Sequence, residues 1–229
     1  MRIATVSLDY YRQNSAAATR KVGAAIARRN LDFAGLTEVR STAMRKGLRS
    51  GMGEHYALVG VGESPLAYHT GRWRLAGHRS VVGTEGVEDI TPTLRLTIGT
   101  FVNRRSGADV VVIATHMVPL TLHGKPRPDY ALRWRMWRGH WRKLKAAVAE
   151  AHAAGHTVFV IGDFNHSKAK RDLIKQVHPT AKWVIRKGLD WCFVVPGGAR
   201  PYRLGLTRGF ASGSDHRAWQ RRVLLRKGA

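Results

Sequence analysis

Acidic residues are scarce in this sequence. Asp and Glu total 15 against 39 Lys and Arg, so the formal net charge is +24. Soluble proteins usually mix both signs on their surfaces, and an excess this large repels itself. It argues for a polyanionic partner, nucleic acid first and anionic membrane second. Cysteine is nearly absent: Cys192 stands alone, which excludes an internal disulfide and fits a reducing compartment. Long apolar runs are missing as well. The longest, Val110 to Ala114, is far too short to cross a bilayer. In the opening stretch MRIATVSLDYYRQN, Thr5, Ser7 and Asp9 interrupt the apolar residues, so a signal-peptide core is not expected there. A soluble, cytoplasmic protein without membrane insertion is expected. No Ser-, Pro- or Gly-rich tract and no internal repeat divides the 229 residues. A single domain over 1–229, acting as a monomer, is expected.

The patterning is that of many short strands and few helices. Arg2 to Leu8 alternates and predicts a strand, and Arg12 to Arg29, with Val22 and Ile26 at helical spacing, predicts a helix. Leu31 to Val39 predicts a buried strand, followed by a Gly- and Arg-rich loop from Ser41 to Gly53. Strands are expected near 56–61, 65–69, 72–82, 93–103 and 109–115, then a polar connection over 119–129. A strong helix is expected from Tyr130 to about Ala154, ending before Gly155. Further strands are expected at 157–161, near Trp183, and at 189–195, 202–204 and 217–225. Two sheets packed face to face, with helices outside, accommodate this pattern.

Acidic and His residues sit where these strands end. Glu38 closes LDFAGLTEV, His116 closes VVVIATH, and Asp163 and Asn165 close VFVIGDFN. Asp215 and His216 precede the last strand, in GSDHRAW. One such residue more often caps a turn than binds a ligand. Several together mark a site, because strand ends on one side of a core converge on a rigid frame. In VIGDFN, Gly162 permits a tight turn, Asp163 offers an anionic oxygen, and Asn165 offers a donor and an acceptor. An Asx-turn that merely satisfies the loop backbone is the competing reading. Asp215 beside His216 joins a metal-type carboxylate to a titratable imidazole, and its competing reading is an ordinary turn.

The motif order resembles the endonuclease/exonuclease/phosphatase superfamily, the DNase I-like and exonuclease III-like enzymes. The matching segments are LTEVR around Glu38, ATHMVP around His116, IGDFN at Asp163–Asn165, LDWCFV at Asp190 and GSDH at Asp215–His216. The resemblance implies an α/β four-layer sandwich, two mixed β-sheets face to face and flanked by helices. It implies phosphoester hydrolysis with Mg²⁺ or Mn²⁺. It makes Glu38 the principal metal ligand and Asp215 a further metal-side carboxylate, with Asp9 matching an Asp of exonuclease III-like members. His216, oriented by Asp190, resembles the His–Asp pair beside the scissile phosphate. His116 resembles a second His on the opposite side. Asp163 and Asn165 resemble the residues that position water and phosphate. The general base is either the His216–Asp190 pair or Asp163. Relatives usually carry Asn in the first strand where this chain has Ser7, so the first-strand substrate contact is altered.

Charge selects among substrates. A nuclease, with DNA favoured over RNA, is expected ahead of a phosphoinositide or other lipid phosphoesterase, and ahead of a non-catalytic nucleic-acid-binding protein. Arg45, Lys46 and Arg49 follow Glu38 closely and are candidate phosphate contacts. On the long helix, Trp134, Trp137, Trp141, Leu144 and Val148 share one face and read as core, while Arg135, Arg138, Arg142 and Lys145 form a basic face.

Overall fold

The structure is a computed structural model, and it describes residues 1–122, 125–166, 171–211 and 218–227. In chain order the elements begin with β1 (Arg2–Ser7), α1 (Tyr10–Gln13), α2 (Ala16–Arg28), β2 (Phe33–Thr37), α3 (Thr42–Met52), β3 (Tyr56–Val59) and β4 (Leu66–His69). There follow β5 (Trp73–Thr84), β6 (Leu94–Asn103), β7 (Asp109–His116), β8 (Thr121–Leu122), β9 (Lys125–Pro126) and α4 (Tyr130–Ala153). The chain continues with β10 (Thr157–Asp163), α5 (Arg171–Val177), β11 (Lys182–Lys187), β12 (Asp190–Val195), β13 (Ala199–Phe210) and β14 (Ala218–Lys227).

Two six-stranded sheets result, ordered β13-β14-β1-β2-β4-β3 and β11-β12-β10-β7-β6-β5. Each is mixed. The parallel pairs are β1 with β2 and β7 with β10, at the centres of their sheets. Central parallel strands are covered on both faces, which is why FAGLT and TVFVIGD are buried throughout instead of alternating. Between the sheets lies one apolar layer, including Ile3, Phe33, Phe101, Val112, Ile161 and Val223. At Gly35 an added Cβ would lie 2.6 Å from the Ile161 side chain, so glycine sets how closely the sheets approach there. The outer face of the first sheet packs Ala4, Val6 and Leu36 against Val22, Ile26, Met44 and Leu48 of α2 and α3. That of the second packs Val111, Ile113 and Val160 against Trp137, Trp141, Leu144 and Val148 of α4. The four-layer sandwich is therefore present, and the Trp stripe of α4 is core. No helix among the described residues is long and apolar enough to cross a membrane.

Three local expectations are corrected. The expected loop 41–53 is the helix α3. Ser41 caps it by accepting from the Met44 N–H at 3.2 Å, and Met44, Leu48 and Met52 face inward. Its glycines serve packing against α2. A Cβ on Gly51 would come within 2.0 Å of the Arg20 carbonyl oxygen, and one on Gly47 within 2.1 Å of that of Ala16. The helix expected over 12–29 is divided, because Asp9 caps α1 and Ser15 separately caps α2. Within the 119–129 connection, β8 and β9 form a small antiparallel pair.

Candidate active site

The topology brings together the strand ends that carry Glu38, His116, Asp163 and Asp190. Because β1 runs parallel to β2, Ser7 lies opposite Thr37, one residue before Glu38. On the second sheet Asp163 lies opposite His116 on one side and Asp190 on the other. The two sheets are tied at this edge by a hydrogen bond from Thr5 Oγ1 to Asp190 Oδ1, 3.2 Å long and buried.

Glu38 adopts φ 62°, a left-handed conformation uncommon for a residue with a Cβ and typical of functional turns. Its Oε2 accepts the Tyr10 N–H at 3.1 Å, which fixes one carboxylate oxygen. Asp163 is buried, and its Oδ1 accepts the Asn165 N–H at 2.7 Å. Asn165, also left-handed at φ 50°, donates from Nδ2 to the Met117 carbonyl at 2.7 Å. The Asx-turn here is made by the Asp163 side chain, whereas the Asn165 side chain does not satisfy its own loop but ties it to the segment after His116. Gly162 is required beside it: with φ 150°, a Cβ there would meet the Thr115 carbonyl oxygen at 1.8 Å.

His116 is fully buried, and its Nδ1 bonds the carboxylate of Glu63, which also takes Arg40 Nε at 2.7 Å. Burial alone would lower the His116 pKa. The Glu63 carboxylate outweighs it, and Asp163 and Glu38 add to the same field, so the imidazole is pushed up to about 9. Burial would likewise raise Glu63, but His116 and Arg40 hold its carboxyl below the ordinary range. This Arg40–Glu63–His116 chain is the part of the site that sequence reasoning missed. Glu63 sits in GVGESPLAY ahead of β4, outside any strand end, and only the fold places it against His116. Behind it, buried His140 meets Thr84 Oγ1 at 3.2 Å through Nδ1 and Thr115 Oγ1 at 2.9 Å through Nε2. Burial first, then the charge of His116, holds it neutral, with a pKa of about 3.

The His116–Glu63 pair predicts a pH dependence of stability. His116 gains protons on folding, so its contribution is complete below about 6.5 and is lost as pH rises through about 9. In EDTA the melting temperature should fall across that window, and Glu63→Gln should flatten the fall. A wild-type melting temperature constant over the window would show that the pair contributes nothing.

The remaining candidates are more scattered in role. Ser7 Oγ accepts from Thr37 Oγ1 at 3.0 Å, inside the site's floor. Asp9, expected as a metal-side carboxylate, accepts from the Tyr11 and Arg12 N–H groups as the cap of α1 and pairs with Arg12. Arg45, expected on phosphate, donates to the carbonyls of Gly60 and Gly62 and holds the loop before Glu63. Lys46 and Arg49 are exposed on α3. Asp215 and His216 lie outside the described residues, and so does the pairing of His216 with Asp190. Among the described residues no group of three His, Cys, Asp or Glu forms a metal cage. Mg²⁺ does not need one: it keeps several waters and takes one or two carboxylates. Glu38, a half-buried hard-oxygen donor near enough for its charge to act on His116, fits that requirement.

Two face-to-face mixed sheets with carboxylates, amide and imidazole at one edge define a class of phosphoester-hydrolysing sandwich. The chain belongs to the Endonuclease/Exonuclease/phosphatase family, whose profile matches residues 9–216. Members of this family hydrolyse phosphoester bonds. Among solved structures, it is similar to an endonuclease/exonuclease/phosphatase from Bacteroides vulgatus, with 16% identity, 98% of each chain covered and a TM-score of 0.74. It is also similar to a mannosyl-6-phosphatase from Bacteroides thetaiotaomicron, at 14% identity, covering 98% of this chain and 99% of that one, TM-score 0.71. A third is D. rerio TDP2 complexed with a single-strand DNA product, at 13% identity, covering 96% and 97%, TM-score 0.66. No curated protein sequence matches the chain.

Proposed function

We propose that the chain is a divalent-metal-dependent nuclease that hydrolyses phosphodiester bonds of nucleic acid, DNA ahead of RNA, by in-line attack of water. The observation that carries this reading is a net charge of +24 on a member of a phosphoester-hydrolysing family. Such a surface gives a polyanion affinity with little sequence preference, whereas a small sugar phosphate needs only a few cations. The TDP2 complex with single-strand DNA supports the same reading.

Glu38 would hold the metal ion, with Asp215 as the second carboxylate. When bound, Mg²⁺ stabilises the charge that develops on the phosphoryl oxygens. Protonated His116, anchored through Nδ1 by Glu63, carries a positive N–H for a phosphate oxygen. Asp163 is held by the Asn165 N–H and positions the attacking water. The proton from that water goes to the His216–Asp190 pair or to Asp163. Tyr11, 83% exposed and following the metal-side turn, offers a ring on which a base can stack.

The test is hydrolysis of plasmid, single-stranded DNA, RNA, a sugar 6-phosphate and a phosphoinositide in Mg²⁺, Mn²⁺ or EDTA. Metal-dependent cleavage of DNA is expected. If roughly five phosphates are neutralised, the log–log salt slope of binding should be about −4 to −5. Preferred turnover of the sugar phosphate or phosphoinositide, with a salt slope near zero, would overturn the nuclease reading.

A further inference from the structure

A groove of about 500 Å³ lies between the C-terminal end of α2 and the β13–β14 ribbon. Six arginines line it: Arg2, Arg28, Arg29, Arg208, Arg221 and Arg222. Among the described residues no Asp or Glu shares the lining. The groove is far from the catalytic edge. Arg2 begins β1 and Ser7 ends it, five residues on, which is about 16 Å at ~3.3 Å per residue.

Six guanidinium groups around one space repel one another, and among the described residues the nearest carboxylate to Arg2, that of Asp32, accepts its backbone N–H and stands outside the lining. The helix dipole accounts for Arg28 and Arg29 at the end of α2, but not for the four on the strands. Several are held in place by uncharged partners. Arg221 donates from Nε to the Gly205 carbonyl at 2.7 Å and from Nη1 to that of Val184 at 2.6 Å. Arg2 Nη1 donates to the Arg29 carbonyl at 3.1 Å, and Arg29 stacks over the Phe210 ring at 4.2 Å. These contacts orient the cations without cancelling their charge. Arg28, Arg208 and Arg222 remain exposed around them. Oriented, uncompensated guanidinium groups suit phosphate oxygens, which accept two parallel N–H bonds from each fork.

We propose that this groove is a second phosphate-binding site, which holds the sugar–phosphate backbone of a nucleic acid away from the point of cleavage. The assignment of its ligand rests on the nuclease reading; its affinity for a chain of phosphates does not. The span of about 16 Å corresponds to roughly five base pairs at 3.4 Å each, so the groove favours strands longer than the catalytic edge alone can hold.

The experiment compares R28Q/R208Q/R222Q with an equal-charge control on other surfaces, R74Q/R105Q/K182Q. Binding of a labelled oligonucleotide and of inorganic polyphosphate is followed by fluorescence anisotropy in EDTA over a salt series. The groove variant should make the log–log salt slope shallower by about 2 to 3 and weaken binding roughly tenfold or more, while the control changes neither nearly as much. R28K/R208K/R222K should keep the slope. Equal melting temperatures for all variants exclude misfolding as the cause. In metal, kcat on a small chromogenic phosphodiester should be unchanged in the groove variant, while KM for a long oligonucleotide rises. Equal losses in groove and control variants would reduce the groove to general surface charge and overturn the proposal. An unchanged slope in the groove variant, with DNA still cleaved, would overturn it and leave the nuclease reading standing. Groove-dependent binding of polyphosphate without binding or cleavage of any nucleic acid would overturn the nuclease reading and the assigned ligand, and would confirm the phosphate site itself.

Discussion

Glu38→Gln is expected to lower kcat on DNA by about three orders of magnitude and leave the protein folded. Gln keeps the shape of the side chain and an oxygen for the Tyr10 N–H, which Glu38 accepts at 3.1 Å. What it loses is the negative charge. A bound divalent cation contributes several kcal/mol of transition-state stabilisation, and each 1.36 kcal/mol is tenfold in rate. The Mg²⁺ concentration for half-maximal activity should rise, and DNA affinity in EDTA should stay near wild type. A variant that keeps wild-type turnover at ordinary Mg²⁺ would remove Glu38 from the metal site. A collapse in melting temperature would make its role structural instead.

The second large effect is expected at Glu63. Glu63→Leu leaves a buried His116 and a half-buried Arg40 without their carboxylate. Removing one partner of a buried ion pair costs about 3–5 kcal/mol, because the remaining charge is stranded. For a chain of this length that is a drop of roughly 6–20 °C in melting temperature. Removing His116 as well is less harmful, since the buried imidazole is then gone and only Arg40, whose side chain reaches solvent, lacks its carboxylate. The double variant Glu63→Leu/His116→Leu should therefore recover part of the loss. With Glu63→Leu alone, burial is opposed only by the more distant Asp163 and Glu38, so His116 should titrate well below its present value of about 9. NMR of the imidazole ring would read this directly. A variant as stable as wild type, with an unshifted imidazole, would show that Glu63 does not hold the ring.

Glu63 also shows where reading the chain stops short. Its partner His116 was legible, because it closes the apolar run VVVIATH and a polar residue there marks a strand end. Glu63 follows a glycine-containing loop and carries no periodic signal. It becomes part of the site only because β4 pairs antiparallel with β2 and delivers its leading loop to the same edge. Arg45 shows a role that its place in the sequence did not suggest. Its nearness to Glu38 suggested phosphate contact, but α3 turns its guanidinium toward the carbonyls of Gly60 and Gly62. In the α3 segment the glycines suggested a loop, where in fact they let two helices touch. A local pattern cannot distinguish a glycine chosen for its dihedral freedom from one chosen for its missing Cβ.

What the amino-acid order determined by itself was the approximate place of the strands of the two large sheets, the inward Trp stripe of α4 and the polar residues at strand ends. Each depends on local periodicity and on where an apolar run stops. The excess of cations is likewise a property of composition. Tertiary structure alone decided which of those residues meet. Parallel pairing of β1 with β2 and of β7 with β10 aligns Ser7, Glu38, His116 and Asp163 at one edge. The same pairing leaves Arg2 at the opposite end of β1, where antiparallel β14 brings Arg221 and Arg222 beside it. Strand pairing is set by long-range hydrogen bonds and by the burial of two faces at once, and neither is written in any short stretch of the chain.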